Sequence, residues 1–316
     1  MTDASSNTEP RAAIDAREDI DPPMDVGIQP TTFRLPADIA LGHVVLRVAD
    51  LDRSLEYYGN TLGLRKLSGD DNVAVLGTHG VSTPLVELRA HAGARPARQQ
   101  GQLGLYHFAI LLPDRAALGR FVQHLSNIGA RAGASDHLVS EAIYLRDPDG
   151  LGIEVYADRP RSSWRAAARQ IEMATNPLDF DSVIRAANGE PWTGMPSGTR
   201  MGHVHLHVGN LEDASAFYHE ALGFDKMVWS YPGALFLAAG GYHHHLGLNT
   251  WAGAGATPPV AGDARLIEWR IVTSKANDAR AAADSLGGAG YATSEDAGGW
   301  LAADPWGTTL RIQPRT

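Results

Sequence analysis

The sequence predicts an α+β protein of two related modules, each made of two strand–helix–strand–strand–strand units. The first observation is an internal repeat: residues 41–64 and 201–224 align without a gap, 160 residues apart. The second is the pattern inside each copy, where an alternating apolar strand is followed by a helix. The third is Asp-Pro-x-Gly, at 147–150 and again at 304–307, a tight turn that feeds a strand in both halves.

Each repeat copy contains its own helix boundaries. Asp50 and Asn210 precede the two helices, and Gly63 and Gly223 follow them, as expected of capping residues. The later halves match more weakly, through the strands LYHFAI at 105–110 and LIEWRI at 266–271, each followed by a helix. Aromatic pairs on the first helix of each module are expected in the core: Tyr57-Tyr58 and Phe217-Tyr218.

These patterns set the predicted domain boundaries. Residues 1–37 are rich in Asp, Pro, Ala, Ser and Thr and are predicted to be a mobile tail. Module A spans 38–158 and module B spans 199–316. The linker, 159–198, carries four prolines and one predicted short helix near Trp164–Met173.

Composition excludes several classes of protein. Hydrophobic residues make up 44% of the 316 residues and charged residues 20%, which is ordinary for a globular protein. The net charge of −9 argues against nucleic acid or an anionic membrane surface as a partner. No apolar run approaches the roughly 20 residues that span a bilayer, and no secretion signal is recognisable. Without cysteine there is neither a disulfide framework nor a thiolate site, so we expect a cytoplasmic protein.

Three residues of module A have the side chains of a metal site. His43 opens a predicted strand, His107 sits in a second and Glu154 lies near the end of a third. Two imidazoles and one carboxylate are the protein ligands of a non-haem iron(II) centre that keeps open coordination positions. The sequence therefore predicts that these three side chains converge within module A.

Both modules resemble the vicinal oxygen chelate superfamily, through the repeated pattern GHVxLxVxxL…FY…LGF. The stretch SDHLVSEAIYLRDPDGLGIE, at 135–154, is similar to the signature of extradiol enzymes of the catechol 2,3-dioxygenase type. The resemblance implies that each module folds into a curved, half-open barrel. In the best-known two-module extradiol enzymes the metal lies in the C-terminal module, whereas here the complete set of ligands is predicted in the N-terminal one.

Module B departs from that ligand pattern. His203 matches His43, but Glu268 replaces His107 and Arg311 replaces Glu154. Because a guanidinium cannot ligate a metal, we expect the equivalent site of module B to be degenerate.

The resemblance also implies the chemistry. The expected activity is extradiol cleavage of a catechol-like small aromatic diol by dioxygen, with iron(II) as cofactor and manganese(II) as a substitute. The signature's acid–base residues fall on His137 and Tyr144. A further acid–base histidine of the family falls nearest to His91. Family members are often oligomeric, so the resemblance leaves open whether this chain forms a homo-oligomer.

Two other functions compete on the same fold. A glyoxalase-type lyase or isomerase would need a fourth protein ligand, and Glu87 is the residue whose position decides this. A metal-free protein that binds an aromatic ligand is the second competitor, although it would not need an intact ligand set. The run His243-His244-His245 cannot act as a simple tripod, because neighbours on a strand alternate faces; an interface or the substrate entrance is the expected place for it.

Overall fold

Four copies of one strand–helix–strand–strand–strand unit follow one another in the computed structural model, which describes residues 26–296 and 298–315. The first unit, A1, comprises β1 (Ala40–Leu41), β2 (Val44–Val48), α1 (Leu51–Asn60), β3 (Arg65–Gly69), β4 (Val73–Gly77) and β5 (Pro84–Ala90). The second, A2, comprises β6 (Gly104–Leu111), α2 (Arg115–Asn127), β7 (Gly133–Asp136), β8 (Ser140–Arg146) and β9 (Gly152–Asp158).

The linker adds short elements before the pattern repeats: a 3-10 turn (Arg161–Ser163), β10 (Ala166–Ala167), β11 (Gln170–Ile171) and α3 (Phe180–Ala186). Unit B1 comprises β12 (Arg200–His207), α4 (Leu211–Ser215) with a π-helical continuation (Ala216–Ala221), β13 (Asp225–Val228), β14 (Ala234–Ala238) and β15 (Leu246–Asn249). Unit B2 comprises β16 (Arg265–Thr273), α5 (Ala276–Gly288), β17 (Thr293–Asp296), β18 (Gly299–Ala303) and β19 (Thr309–Pro314). The predicted unit pattern and α+β class are confirmed.

The sheets exchange units between the modules. Sheet I runs β3-β4-β5-β2-β16-β19-β18-β17, with β1 also paired to β16, and so joins unit A1 to unit B2. Sheet II runs β13-β14-β15-β12-β6-β9-β8-β7 and joins unit B1 to unit A2. The antiparallel pairs β2–β16 and β6–β12 make these joins. The expectation that each module closes its own sheet is therefore wrong, because the central strand of every unit pairs with the other module.

The predicted caps hold the first helices in place. The Asp50 side chain accepts a hydrogen bond from the backbone N–H of Arg53, at 2.9 Å, and Asn210 does the same for Asp213, at 2.7 Å. Gly63, which follows α1, has φ +72°, a left-handed conformation that favours glycine.

Buried tyrosines connect the first helices to the Asp-Pro-x-Gly turns. The Tyr58 hydroxyl donates to Asp147 at 3.1 Å and the Tyr218 hydroxyl donates to Asp304 at 2.9 Å. Each aspartate also accepts two backbone N–H groups of its own turn. Tyr58 lies on α1 of unit A1 and Asp147 lies in the turn between β8 and β9 of unit A2, so the bond ties the two units of module A together. Three of the four predicted core aromatics, Tyr58, Phe217 and Tyr218, are fully buried.

Two expectations about the flanking segments need correction. The predicted tail lies partly outside the described residues (1–25), but residues 26–37 contact module B: Ile28 pairs with Lys226 and Arg34 forms an ion pair with Asp225 at 2.6 Å. The linker has no helix at 164–173. Ala168 and Arg169 have φ of +49° and +63°, so the chain turns between two short strands there, and the linker's helix is α3. Among the described residues, no helix is long and apolar enough to cross a membrane.

We predict that Tyr58→Phe lowers the free energy of unfolding by about 1 kcal/mol, because buried Asp147 loses a hydrogen-bond donor. Urea denaturation at neutral pH measures the change. Tyr57→Phe is the matched control, because the hydroxyl of Tyr57 has no hydrogen bond within the described part of the chain. An equal loss of stability in both variants would contradict the assigned role of the Tyr58–Asp147 bond.

Candidate metal centre

Three side chains from neighbouring strands converge inside sheet II. His107 lies on β6, Glu154 on β9 and His203 on β12, and none is more than 5% exposed. Glu154 Oε2 lies 3.0 Å from His107 Nε2 and 3.2 Å from His203 Nε2, and the two imidazole nitrogens are 3.3 Å apart. Across the residues that the structure describes, this is the group of His and acidic side chains whose donor atoms lie close enough to share one metal ion.

Strand register explains the convergence. Ala109 on β6 is flanked by Glu154 on parallel β9 and by His203 on antiparallel β12. His107 is two residues from Ala109, so both side chains face the same side of the sheet. The small side chain of Ala109 leaves room between the three donors.

Burial sets the protonation states of the three groups. Desolvation lowers the pKa of both His107 and His203, even though Glu154 opposes the shift. Burial alone would raise the pKa of Glu154, but the two adjacent histidines outweigh it and hold that pKa well below its usual value. Two imidazoles with free lone pairs beside an ionised carboxylate are in the protonation states that metal ligation needs.

The donor set fits a divalent metal. Donors bound to one ion at about 2.0–2.2 Å in perpendicular directions lie about 3 Å apart, close to the separations between these atoms. The distances of 3.0–3.3 Å thus place all three donors around one point. Mixed imidazole and carboxylate ligands suit iron, manganese and zinc. His203 Nδ1 is buried without a hydrogen-bond partner in the described structure, and its ring packs against His244 with centroids 4.1 Å apart.

His43 does not join this group, contrary to the sequence expectation. It precedes β2 in sheet I, and its Nε2 lies 3.4 Å from Glu87. The physical reason is that β2 pairs with β16, whereas β6 pairs with β12. His203, the repeat equivalent of His43, takes the expected place. The repeat shows that His43 and His203 occupy equivalent positions. It does not show which of the two lies beside β6.

The corresponding position in sheet I is filled by ion pairs. Glu268 accepts from Arg270 at 2.6 Å and from Arg311 at 3.0 Å. Arg270 stands where Ala109 stands in sheet II, and Arg311 stands where Glu154 stands. Two guanidinium groups thus occupy the space that sheet II leaves between its donors. The set expected to form a degenerate site in module B is therefore divided: Glu268 and Arg311 lie in sheet I, whereas His203 lies in sheet II with His107 and Glu154.

Glu87 also belongs to sheet I. Besides contacting His43, it forms an ion pair with Arg89 at 2.7 Å. The hydrogen bond from His43 and the charge of Arg89 lower the pKa of Glu87 to about 2, although burial opposes them. In sheet II the matching strand position on β15 is Gly247, opposite His205 as Glu87 is opposite Val45. The β15 position therefore offers no fourth carboxylate to the metal centre.

His137 and Tyr144 stand beside the three donors, as the sequence predicts. His137 Nδ1 lies 2.6 Å from the Ala174 carbonyl, which can only accept, so Nδ1 carries the proton. His137 Nε2 lies 2.5 Å from the Tyr144 hydroxyl and accepts its proton in the hydrogen bond. Burial, together with the Glu154 charge, raises the pKa of Tyr144 well above its usual value. The dyad lies beside His107, with 5.6 Å between the Tyr144 and His107 ring centroids.

His91 does not line this cavity, so it is too far from the candidate site for its predicted acid–base role. It is exposed just beyond β5 in sheet I, where its backbone N–H bonds to Val48. The prediction of His91 rests on its distance from His107 along the chain. Because units are exchanged, the segment that borders His107 in space comes from unit B1 instead.

Unit B1 supplies histidines that sequence reasoning did not assign. His205 faces His107 across a ring-centroid distance of 5.0 Å, and its Nε2 accepts from the Asn249 amide at 2.9 Å. His244 lines the same cavity, and its Nδ1 lies 2.7 Å from His243 Nδ1. Burial lowers the pKa of His205 and of His244 well below the ordinary value. The alternation of His203, His205 and His207 on one strand is the signal that pointed to this wall.

The triplet at 243–245 is not a tripod, as expected. His243 bonds Asp158 through Nε2 at 2.9 Å, and His244 faces the cavity. His245 accepts a hydrogen bond from the backbone N–H of Ala239.

The cavity beside the three donors has a volume of about 230 Å³ and an apolar outer wall. Met173, Tyr231, Phe236 and Trp251 form this wall, opposite the metal-ligand candidates. Its lining contains no lysine or arginine. The cavity can therefore hold a small ring with two polar atoms towards the donors, but has no cation to neutralise a second charge.

Comparisons with known proteins show the family of this chain. The family model "Glyoxalase/Bleomycin resistance protein/Dioxygenase superfamily" matches residues 40–155 and 200–309. A catechol-2,3-dioxygenase of Bacillus subtilis is 41% identical over 271 residues, covering 85% of this chain and 94% of the relative. A lactoylglutathione lyase of Haemophilus influenzae is 31% identical over 129 residues, 38% of this chain and 94% of the lyase.

The fold has solved counterparts as well. A Bacillus subtilis structure assigned provisionally as a dioxygenase superposes with a TM-score of 0.60 at 13% identity, covering 89% of this chain and 86% of that one. The chain belongs to the Glyoxalase/Bleomycin resistance protein/Dioxygenase superfamily, and its expected resemblance to the extradiol dioxygenases is confirmed.

We predict that His203→Ala lowers the affinity for a divalent metal by about a hundredfold or more, because one of three ligands is lost. His43→Ala, the substitution at the repeat-equivalent position, leaves affinity unchanged. Anaerobic titration of the metal-free protein with iron(II), followed by metal analysis, measures both. Loss of binding in His43→Ala with retention in His203→Ala would contradict the assignment.

Proposed function

We propose that the protein is an extradiol dioxygenase that cleaves an uncharged, single-ring catechol, with iron(II) held by His107, His203 and Glu154. The observation that carries the proposal is the buried group of two imidazoles and one carboxylate that opens onto a small aromatic-walled cavity. The catechol-2,3-dioxygenase relative, aligned over most of both chains, supports the same activity. When bound, the ferrous ion would supply a redox centre at which a diol and dioxygen can meet.

The number of protein ligands favours a dioxygenase over a lyase. A lyase or isomerase of this fold would draw a fourth ligand from the position of Glu87, and that residue is engaged with His43 and Arg89 in sheet I. Its counterpart in sheet II is Gly247, where an added Cβ would lie 2.7 Å from the His205 ring. Three protein donors leave more positions for substrate oxygens. The lyase relative spans only about one module of this chain, so it does not address the exchanged site.

The Tyr144–His137 dyad accepts protons from the diol. A neutral His137 Nε2 can accept a proton through the Tyr144 hydroxyl, or directly from a diol oxygen held in the cavity. The Ala174 carbonyl fixes the imidazole orientation through Nδ1–H. Burial raises the pKa of Tyr144, so across the neutral pH range its hydroxyl keeps the proton that it donates to His137, and its oxygen can accept a proton from a diol.

The remaining walls orient the ring and exclude water. Tyr231 and Trp251 lie 6.2 Å apart between ring centroids, and Phe236 packs edge-on to Tyr231. These faces suit an aromatic ring, which prefers offset or edge-on contacts. His205 stays a neutral acceptor or donor beside His107 because burial disfavours its charged form.

The direct test is reconstitution. Protein purified anaerobically and loaded with one equivalent of iron(II) is mixed with catechol and oxygen, and both oxygen uptake and the yellow ring-fission product are recorded. The proposal predicts one oxygen consumed per product. Stoichiometric iron binding without oxygen uptake, across a panel of uncharged catechols, would refute it. Repeating the loading with manganese(II) identifies the working metal.

We predict that His137→Gln slows turnover by about a hundredfold or more, as expected when an acid–base group is removed. Iron binding stays stoichiometric, since the residue is not a ligand. Steady-state oxygen consumption and metal analysis on one preparation separate the two effects. His124→Gln, a surface histidine on α2, is the control with normal turnover; parallel loss of iron in His137→Gln would count against the assigned role.

We predict that kcat/KM for catechol and 4-methylcatechol exceeds that for 3,4-dihydroxybenzoate by about a hundredfold or more, because a buried carboxylate would have no cation to pair with. Initial rates of oxygen uptake at matched concentrations give the ratio. Comparable values for the charged and uncharged substrates would show that the cavity accommodates an anion.

A further inference from the structure

A second cavity lies between the two sheets, away from the metal centre. Its volume is about 160 Å³. It is bounded by the first residues of β6, β16 and β19, by Leu151 just before β9, and by residues of the two connections 91–103 and 250–264. These connections pair with each other: Arg95 bridges to Asp263, and Gln102 to Thr257. The proposed function makes no use of this cavity.

Positive charge collects at the cavity without matching negative charge. Arg265 lines the cavity, and its Nε is buried with no hydrogen-bond partner in the described structure. Arg98 also lines it, and its exposed side chain forms no ion pair with any described residue. Arg47 lies near Arg265 but outside the cavity lining, and among the described residues its guanidinium donates to the carbonyl of Ala261. The chain as a whole carries a net charge of −9, so this concentration of arginines is local.

The acid that faces these arginines is already engaged. Asp263 forms an ion pair with Arg95 at 2.7 Å and accepts from the Val260 backbone N–H at 2.9 Å. Burial and the nearby Arg47 both lower the pKa of Arg265, which means that its charge is poorly solvated there. The Nε–H of Arg265 is a charged donor that lies buried without a partner, and an anion in the cavity would supply one.

We propose that this cavity binds a small organic carboxylate, with its charged end at Arg265 and Arg98 and its apolar body against the apolar part of the lining. Leu103, Leu266 and Trp306 belong to that apolar part, and the two leucines are almost completely buried. An apolar cavity of about 150 Å³ is known to hold a benzene ring, so a single-ring carboxylate fits the available volume.

Isothermal titration of the full-length protein with benzoate tests the proposal. Benzyl alcohol is the uncharged probe of matched size. We expect one benzoate site, weaker binding of benzyl alcohol, and a loss of benzoate affinity of about tenfold or more in Arg265→Gln, because a charge-assisted hydrogen bond is removed. Arg65→Gln, on exposed β3, is the matched control with unchanged affinity.

Several results would overturn the proposal: no benzoate binding at millimolar concentration, equal affinity for benzyl alcohol, or unchanged benzoate affinity in a folded Arg265→Gln. Should that variant fail to fold, Arg98→Gln removes an exposed side chain and must weaken benzoate binding instead. The titration needs no iron and no turnover, so its outcome is independent of the dioxygenase proposal. Because the metal-centre cavity has no arginine in its lining, an Arg265 effect also distinguishes the two cavities.

Discussion

The antiparallel pairing of β6 with β12 is the constraint on which the candidate active site depends. It brings a strand of module B against a strand of module A, and so completes with His203 a set of ligands that His107 and Glu154 begin. If the modules closed their own sheets, His43 would face His107 instead. The exchange also makes the site a property of the whole chain, because neither module alone carries all three donors.

The two central strand pairs show why the described residues form a candidate metal site in one sheet and not in the other. At equivalent places, sheet II has the small Ala109 and the carboxylate Glu154, while sheet I has Arg270 and Arg311. In sheet II the space between the donors stays free for an ion. In sheet I two guanidinium groups fill it and bind Glu268. A buried ion pair keeps the charges of sheet I satisfied, so the two sheets share one fold although, within the described residues, only sheet II holds a candidate set of metal ligands.

Much of this architecture follows from the sequence alone, for definite reasons. Asp50 and Asn210 cap helices, and the Asp-Pro-x-Gly turns start strands, through contacts a few residues apart that local patterns can reveal. His107, Glu154, His137 and Tyr144 were found because their spacing within one unit follows a known signature. The pairing of units was not predictable in this way, since all four units have similar strands and the repeat is equally consistent with either arrangement. For that single reason the sequence predicts His43 and His91 at the site, whereas the structure places His203 there and leaves both of them outside.

Anomalous diffraction at the iron edge, from crystals of the anaerobically reconstituted protein, tests the central claim most directly. The account predicts one strong peak within bonding distance of His107 Nε2, His203 Nε2 and Glu154 Oε2, with no other protein ligand. A peak beside His43 and Glu87, or one bonded to a fourth side chain in sheet II, would contradict it.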